Sequence, residues 1–293
     1  MSITASITGL VVMCLRLIKK LPRRFSVFLW AIPFLRMIFP FGLSSPYSIM
    51  TLLSKLAIKT IIVFEPSDYI AFSTTNSLMA ADSYFPITYK TNILERIFSV
   101  ASVIWIIVSV AIILMLSVTY FITLREVKDA KNLKDNIYLS KKVISPAVYG
   151  IIRPKIILPD SYGEKDIELI VLHENSHIRT ADNLWRVIAF LLVALHWFNP
   201  FAWLFLKLYL ADIELSCDER VIKKIGQAKA KEYAISLLDS KKGTTVFASG
   251  FGGAKIRTRI ENILSFKKMT LLSSASFITL IGIIFYVLLT NAA

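Results

Sequence analysis

Cysteine is scarce. Cys14 and Cys217 are the two thiols among 293 residues. One lies in an apolar segment and the other in the charged half, so no disulfide framework carries this fold. Histidine is nearly as rare, with three residues: His173, His177 and His196. Acidic side chains are outnumbered, 20 Asp and Glu against 34 Lys and Arg, for a net charge of +14. No internal repeat and no low-complexity tract occurs, which argues against a solenoid or a disordered scaffold. No basic stretch is interleaved with aromatics, so a nucleic-acid groove is the weaker reading of the charge and no direct nucleic-acid partner is expected.

Apolar residues are plentiful, at 55% of the chain with a mean hydropathy of +0.62. A soluble domain of this length would be less hydrophobic, and the surplus reads as lipid-buried surface. Two uncharged runs, Ile97–Leu124 and Met269–Ala293, are long enough to cross a bilayer. Two less regular segments precede them. Met1–Leu15 carries no charge, and Phe25–Phe39 carries Arg36 alone before Pro40. In the first segment the basic residues follow the apolar run, so it reads as a retained helix and not a cleaved signal peptide.

Positive charge then sets the orientation. Arg16, Lys19, Lys20, Arg23 and Arg24 follow the first segment, Arg125, Lys128, Lys131 and Lys134 follow the third, and Lys255, Arg257, Arg259, Lys267 and Lys268 precede the fourth. The positive-inside rule places all three groups in the cytoplasm and both termini outside. The expectation is a mainly α, polytopic membrane protein. Residues 1–124 form a membrane domain with helices at about 3–18, 25–40 and 97–122 and an external loop at 41–96. Residues 125–268 form a cytoplasmic domain, and 269–293 a fourth transmembrane helix with a short external C-terminus. An apolar stretch within the outer loop, Ile49–Phe64, reads either as a surface helix or as part of the membrane domain.

The cytoplasmic part starts with a charged linker, REVKDAKNLKDN. The β-branched stretch VISPAVYGIIRPKIILP, residues 143–159, is punctuated by Pro146, Gly150 and Pro154 and reads as two short strands and a turn. Acidic Glu164, Asp166 and Glu168 mark the start of a helix. The uncharged run 187–206 is broken by Asn199–Pro200 and reads as two helices lying against the inner face of the membrane or dipping into it.

The helix that starts at the acidic residues 164–168 carries VLHENSHIRTAD, residues 171–182. His173 and His177 stand four apart, so both imidazoles lie on one helix face and reach a single ion. Glu174, about 100° around, is placed to act as general base on a water activated by zinc. This is the H-E-x-x-H arrangement. A catalytic zinc takes a third protein ligand, and Glu214 in ADIELSCDERV is the candidate. Asp218, one turn further, is the candidate partner for a ligand imidazole N–H. Ile151, Ile156 and Ile157 lie on a candidate edge strand that could hold an extended substrate. His196 sits in an apolar, Trp-flanked stretch and reads as a packing residue.

Five segments together resemble the BlaR1/MecR1-type membrane metallopeptidases, the M56 peptidases. They are LWAIPFLRMIFPF (29–41), SPAVYGIIRPKIILP (145–159), LHENSHIRTADN (172–183), LHWFNPFAWL (195–204) and DIELSCDERV (212–221). The resemblance implies one zinc ion per chain held by His173, His177 and Glu214, with Glu174 as base. It also implies four membrane helices and a cytoplasmic α+β zincin-like (gluzincin) peptidase domain. In function it implies a signal-transducing endopeptidase that cleaves itself or a cytoplasmic transcriptional repressor, typically in control of β-lactam resistance. The expected partners are the lipid bilayer and a protein or peptide substrate, with a homodimer left open. A housekeeping protease that processes membrane proteins, and a transducer that keeps the fold without proteolysis, are the alternatives. Two features depart from the family pattern. Asn175 and Ser176 stand where relatives often carry an apolar and a small residue. The sequence ends at Ala293, without a penicillin-binding sensor domain, so β-lactam sensing by this polypeptide alone is not expected.

Overall fold

The computed structural model describes residues 2–18, 21–39, 44–49, 51, 86–160, 164–240, 254–266 and 270–292. Most of the expected outer loop, including the greater part of the stretch 49–64, lies outside the described residues. The chain is mostly helical. Three N-terminal helices, α1 (Ser2–Arg16), α2 (Arg23–Leu29) and α3 (Ala31–Ile38), precede a long α4 (Pro86–Glu126). A four-stranded sheet follows: β2 (Lys131–Lys134), β3 (Ile137–Ser140), β4 (Ala147–Tyr149) and β5 (Lys155–Pro159). Then come α5 (Glu164–Arg179), α6 (Asp182–Leu195), α7 (Pro200–Ile225), α8 (Ala230–Ser240), α9 (Ile256–Ser265) and α10 (Leu271–Leu289). A two-residue parallel pairing joins β1 (Ser44–Ser45) to β6 (Asn291–Ala292).

Among the described residues, two helices are long and apolar enough to cross a membrane, Arg96–Glu126 within α4 and Leu272–Leu289 within α10. Few residues of either helix are buried, and each keeps several large apolar side chains exposed, such as Ile107 and Phe121 on α4 and Ile278 and Ile283 on α10, as a lipid-facing helix would. The apolar helix α1 is shorter. The segment expected as one helix at 25–40 is two short ones meeting at Trp30. Pro33 accounts for the break, since its ring crowds the carbonyl of Leu29 four residues earlier and offers no N–H to it. Arg36 is tolerated in this apolar setting because it donates to the carbonyl oxygens of Leu288 and Thr290 at the end of α10.

The Asn199–Pro200 break does separate two helices. Asn199 caps α7, its side chain accepting from the Phe201 N–H at 2.9 Å, and Pro200 takes the first helical position. The Asn199 amide also donates to Ser2 Oγ and Ser6 Oγ at 2.8 and 2.9 Å. At the other end of α1, Arg16 donates from Nε to both carboxylate oxygens of Asp212, each at 2.9 Å. Helices α1 and α7 therefore run side by side in the same direction for about 20 Å at 1.5 Å per residue. One apolar cluster joins Val12, Leu29, Trp30, Ile32 and Met37 of the N-terminal helices to Val193, Phe205, Leu206 and Ile213 of α6 and α7. The N-terminal helices and α6–α7 thus share one core. A second cluster, including Leu169, Val221, Tyr233, Leu237 and Ile263, unites α5, α7, α8 and α9.

The sheet order is β2-β3-β5-β4. It lies against α5 through Ile156, Leu158 and Ile170. The turn between β4 and β5 needs a positive φ at its start, and Gly150 supplies it at 91°. Strand β5 pairs with β3 on one side and β4 on the other. The expectation of an edge strand at Ile151, Ile156 and Ile157 is therefore corrected. Ile156 and Ile157 are interior and fully buried, and Ile151 lies in the turn. The outer strand beside them is β4.

Candidate metal centre

Five helices, α5 to α9, build the site. Helix α5 presents His173 and His177 with ring centroids 4.8 Å apart and planes perpendicular. Their Nε2 atoms face each other at 3.2 Å. Glu214 on α7 closes the group: its carboxylate oxygens lie 3.6 Å from His173 Nε2 and 3.7 Å from His177 Nε2. Ligand atoms about 2.0–2.1 Å from a tetrahedral ion stand about 3.3–3.4 Å from one another. The three side chains have the spacing and the chemistry that a zinc-sized ion takes.

Cys217 offers a third kind of donor, and it groups with His173 and His177 within 4.8 Å. Its sulfur faces the opposite side of the ring, 3.3 Å from His173 Nδ1 and 3.3 Å from the His173 carbonyl oxygen. A single imidazole cannot aim both nitrogens at one ion. Burial also pushes the Cys217 thiol well up, with the Asp218 charge adding to it. The set His173, His177 and Glu214 fits the ion better, and Cys217 packs behind it.

The outward nitrogens of both rings are fixed. His177 Nδ1 lies 2.6 Å from Asp182 Oδ2. Asp182 reaches it because Ala181 adopts a left-handed conformation, φ 51°, between α5 and α6, a geometry that costs a non-glycine residue about 1–2 kcal/mol. His173 Nδ1 lies 2.8 Å from Tyr233 Oη, and that hydroxyl donates to Asp218 Oδ1 at 2.7 Å. Its one proton being given to the carboxylate, the ring must supply the N–H between them. Both Nε2 lone pairs then face Glu214. Asp218 stands 3.5 Å from His173 Nδ1, so its support arrives through Tyr233. The sequence reading missed Asp182 and Tyr233.

Arginines surround the acids. Arg186 donates to Glu214 Oε1 at 2.6 Å. Arg259 holds Asp218 with Nε and Nη2 at 2.8 and 2.7 Å and brings Nη1 to 3.4 Å from Glu214 Oε2. Burial would raise the Glu214 carboxyl, but the facing His177 and His173 with Arg259 and Arg186 outweigh it and hold Glu214 well below the usual carboxylate range. Glu174 is buried too. Burial pushes its carboxyl up, Glu214 adds to the rise, and His173 and the two arginines pull against it. Burial likewise raises the Tyr149 phenol on β4, with the charges of Glu126 and Glu174 adding to it. His196 is outside this cluster, its ring N–H directed at the Leu192 carbonyl 3.1 Å away.

A family model described as BlaR1 peptidase M56 matches residues 1–263. The chain belongs to the M56 peptidase family. Its similar relatives include the regulatory protein BlaR1 of Bacillus licheniformis, 29% identical over 152 residues. The methicillin resistance mecR1 protein of Staphylococcus aureus is 29% identical over 103 residues. These matches cover 46% and 34% of this M56 chain but 25% and 18% of the relatives, so the chain spans a quarter or less of their length. M56 peptidases are metallopeptidases, and the histidine cluster is compatible with a metal site.

Proposed function

We propose that this M56 peptidase is a zinc-dependent endopeptidase of the cell membrane, one that transduces a signal by cleaving itself, a cytoplasmic repressor, or both. The observation that carries the reading is the convergence of His173 Nε2, His177 Nε2 and the Glu214 carboxylate within 3.2–3.7 Å. Zinc held there supplies a polarised substrate carbonyl and a water that ionises near neutral pH. The remaining work falls to the protein. Glu174 accepts the proton of the attacking water and returns it to the leaving amine. Asp182 and Tyr233 keep the imidazoles in one tautomer. Strand β4, the outer strand of the sheet and a neighbour of α5, offers an extended substrate its edge. Helices α1, α2–α3, α4 and α10 cross the bilayer, with the basic groups and the metal centre on the cytoplasmic side.

Replacing Glu174 by Gln tests the mechanism. The variant should bind zinc as the wild type does and lose about 10²–10⁴-fold in cleavage rate, the usual contribution of a general base. Proteomics of cells carrying wild type and variant identifies the substrate in the same experiment. Wild-type cleavage by Glu174→Gln would overturn the proposed chemistry.

A further inference from the structure

Arg259 is nearly fully buried, yet it comes from α9, far along the chain from the ligands. Its guanidinium makes a two-point fork on Asp218. The same group lies 3.3 Å from His173 Nε2 and 3.4 Å from Glu214 Oε2. Asp218 is wholly buried and accepts from Tyr233 as well as from Arg259. Tyr233 in turn sits on His173 Nδ1. A carboxylate sealed from water in this way needs a fixed counter-charge, and Arg259 is the cation bonded to both its oxygens. The fork matches carboxylate geometry, which a lysine ammonium cannot do.

We propose that Arg259 is a positioning residue of the metal centre, acting through Asp218 and Tyr233 to aim the His173 imidazole at the ion. This rests on the metallopeptidase reading above. Without Arg259, Asp218 loses its counter-charge, Tyr233 loses its fixed acceptor, and His173 is free to turn or change tautomer. The opposite sign has its own physics. A guanidinium beside two ligand atoms could act as a competing cation, and its removal would then tighten metal binding.

The test uses the full chain in detergent, with zinc and then cobalt as probes. Zinc affinity is measured by chelator competition, and the cobalt-substituted protein is read by its visible absorption. Arg259→Gln should bind zinc about 10–100-fold more weakly, the usual loss on removing a support of a metal ligand, and should shift the cobalt spectrum. Asp218→Asn should do the same, and the double variant should lose little more than either single one, since both act along one chain of contacts. Arg259→Lys keeps the charge without the fork and should recover part of the affinity. If Arg259→Gln fails to fold, the lysine variant decides alone. Zinc affinity equal to or tighter than wild type, an unaltered cobalt spectrum, or additive losses in the double variant would overturn the proposal. A wild-type chain that takes up no zinc would overturn the metallopeptidase reading as well, whereas normal wild-type uptake beside an unaltered variant defeats the role of Arg259 alone.

Discussion

At the level of single residues, the site is a set of short polar contacts sealed from water, and each is sensitive to the loss of one atom. Asp182 shows this best. Its carboxylate is 2.6 Å from His177 Nδ1 and also accepts from Arg220 at 3.3 Å. Asp182→Asn replaces an acceptor-only group by one whose amide can face the ring with either end. Zinc affinity should fall about 10–100-fold, as read by chelator competition, with the fold intact by circular dichroism. An unchanged affinity would show that His177 needs no such support. The proposed ligand trio could be named from the sequence because helical spacing alone puts His173 and His177 together and because Glu214, with Asp218 one turn on, stands in a second helix. Tyr233 and Arg259 were not legible. They meet His173 across 60 and 86 residues, and no local pattern encodes a contact at that separation. Ser176, a departure from the family pattern, has a physical place: its hydroxyl accepts from Arg220 Nε at 2.8 Å, and the same arginine reaches Ser216 and Thr180. These contacts make a hydrogen-bonded bridge between α5 and α7.

At the level of elements, α7 joins the metal centre to the N-terminal helices. Asp212 and Glu219 bind the α1–α2 corner, the latter through the Arg23 N–H at 3.0 and 3.1 Å, while Glu214 and Asp218 face the site. Close approach of α1 to α7 depends on Gly9. A Cβ there would stand 2.1 Å from Phe205 Cε2, and that ring is packed against Trp30 and Phe201. Gly9→Ala should therefore destabilise the protein by about 1–3 kcal/mol through overpacking, seen as a lower Tm in detergent. A Tm at or above that of the wild type would mean that α1 is not held where it lies. Element boundaries followed the sequence wherever backbone chemistry was explicit, as at Asn199–Pro200 and at the acidic start of α5. The hairpin β2–β3 was hidden, because β2 (KNLK) is exposed along its whole length and shows no apolar alternation. Its lysines read as a charged linker, and the turn at Asp135, φ 49°, was the one local sign of a reversal.

At the level of the whole molecule, charge and packing give the same polarity. Ser2, Asn199 and the β1–β6 pairing mark one end, through Asn199 to Ser2 and Arg36 to the end of α10. Arg16 and Arg23 with Asp212 mark the other, and Arg24 there donates to Ser274 in the first turn of α10 at 3.1 Å. Helix α10 thus runs alongside α2–α3 from the basic end to the end bearing β1. If the basic end is cytoplasmic, as the positive-inside rule has it, the elbow at Asn199 enters the bilayer from within and reaches nearly as far as the start of α1. The sequence could not settle that depth, because an uncharged run interrupted by Asn and Pro suits a surface helix and a re-entrant pair equally. Single cysteines in a Cys14→Ser background resolve the polarity. Tyr47, 76% exposed, lies at the β1 end, and Asp129, whose side chain is 74% exposed, follows α4. With a membrane-impermeant maleimide on intact cells, Tyr47→Cys should be labelled and Asp129→Cys should be labelled only after permeabilisation. Cys217 is buried and should stay silent in both conditions. The reverse labelling pattern would put the metal centre outside the cell, where a cytoplasmic repressor could not be its substrate.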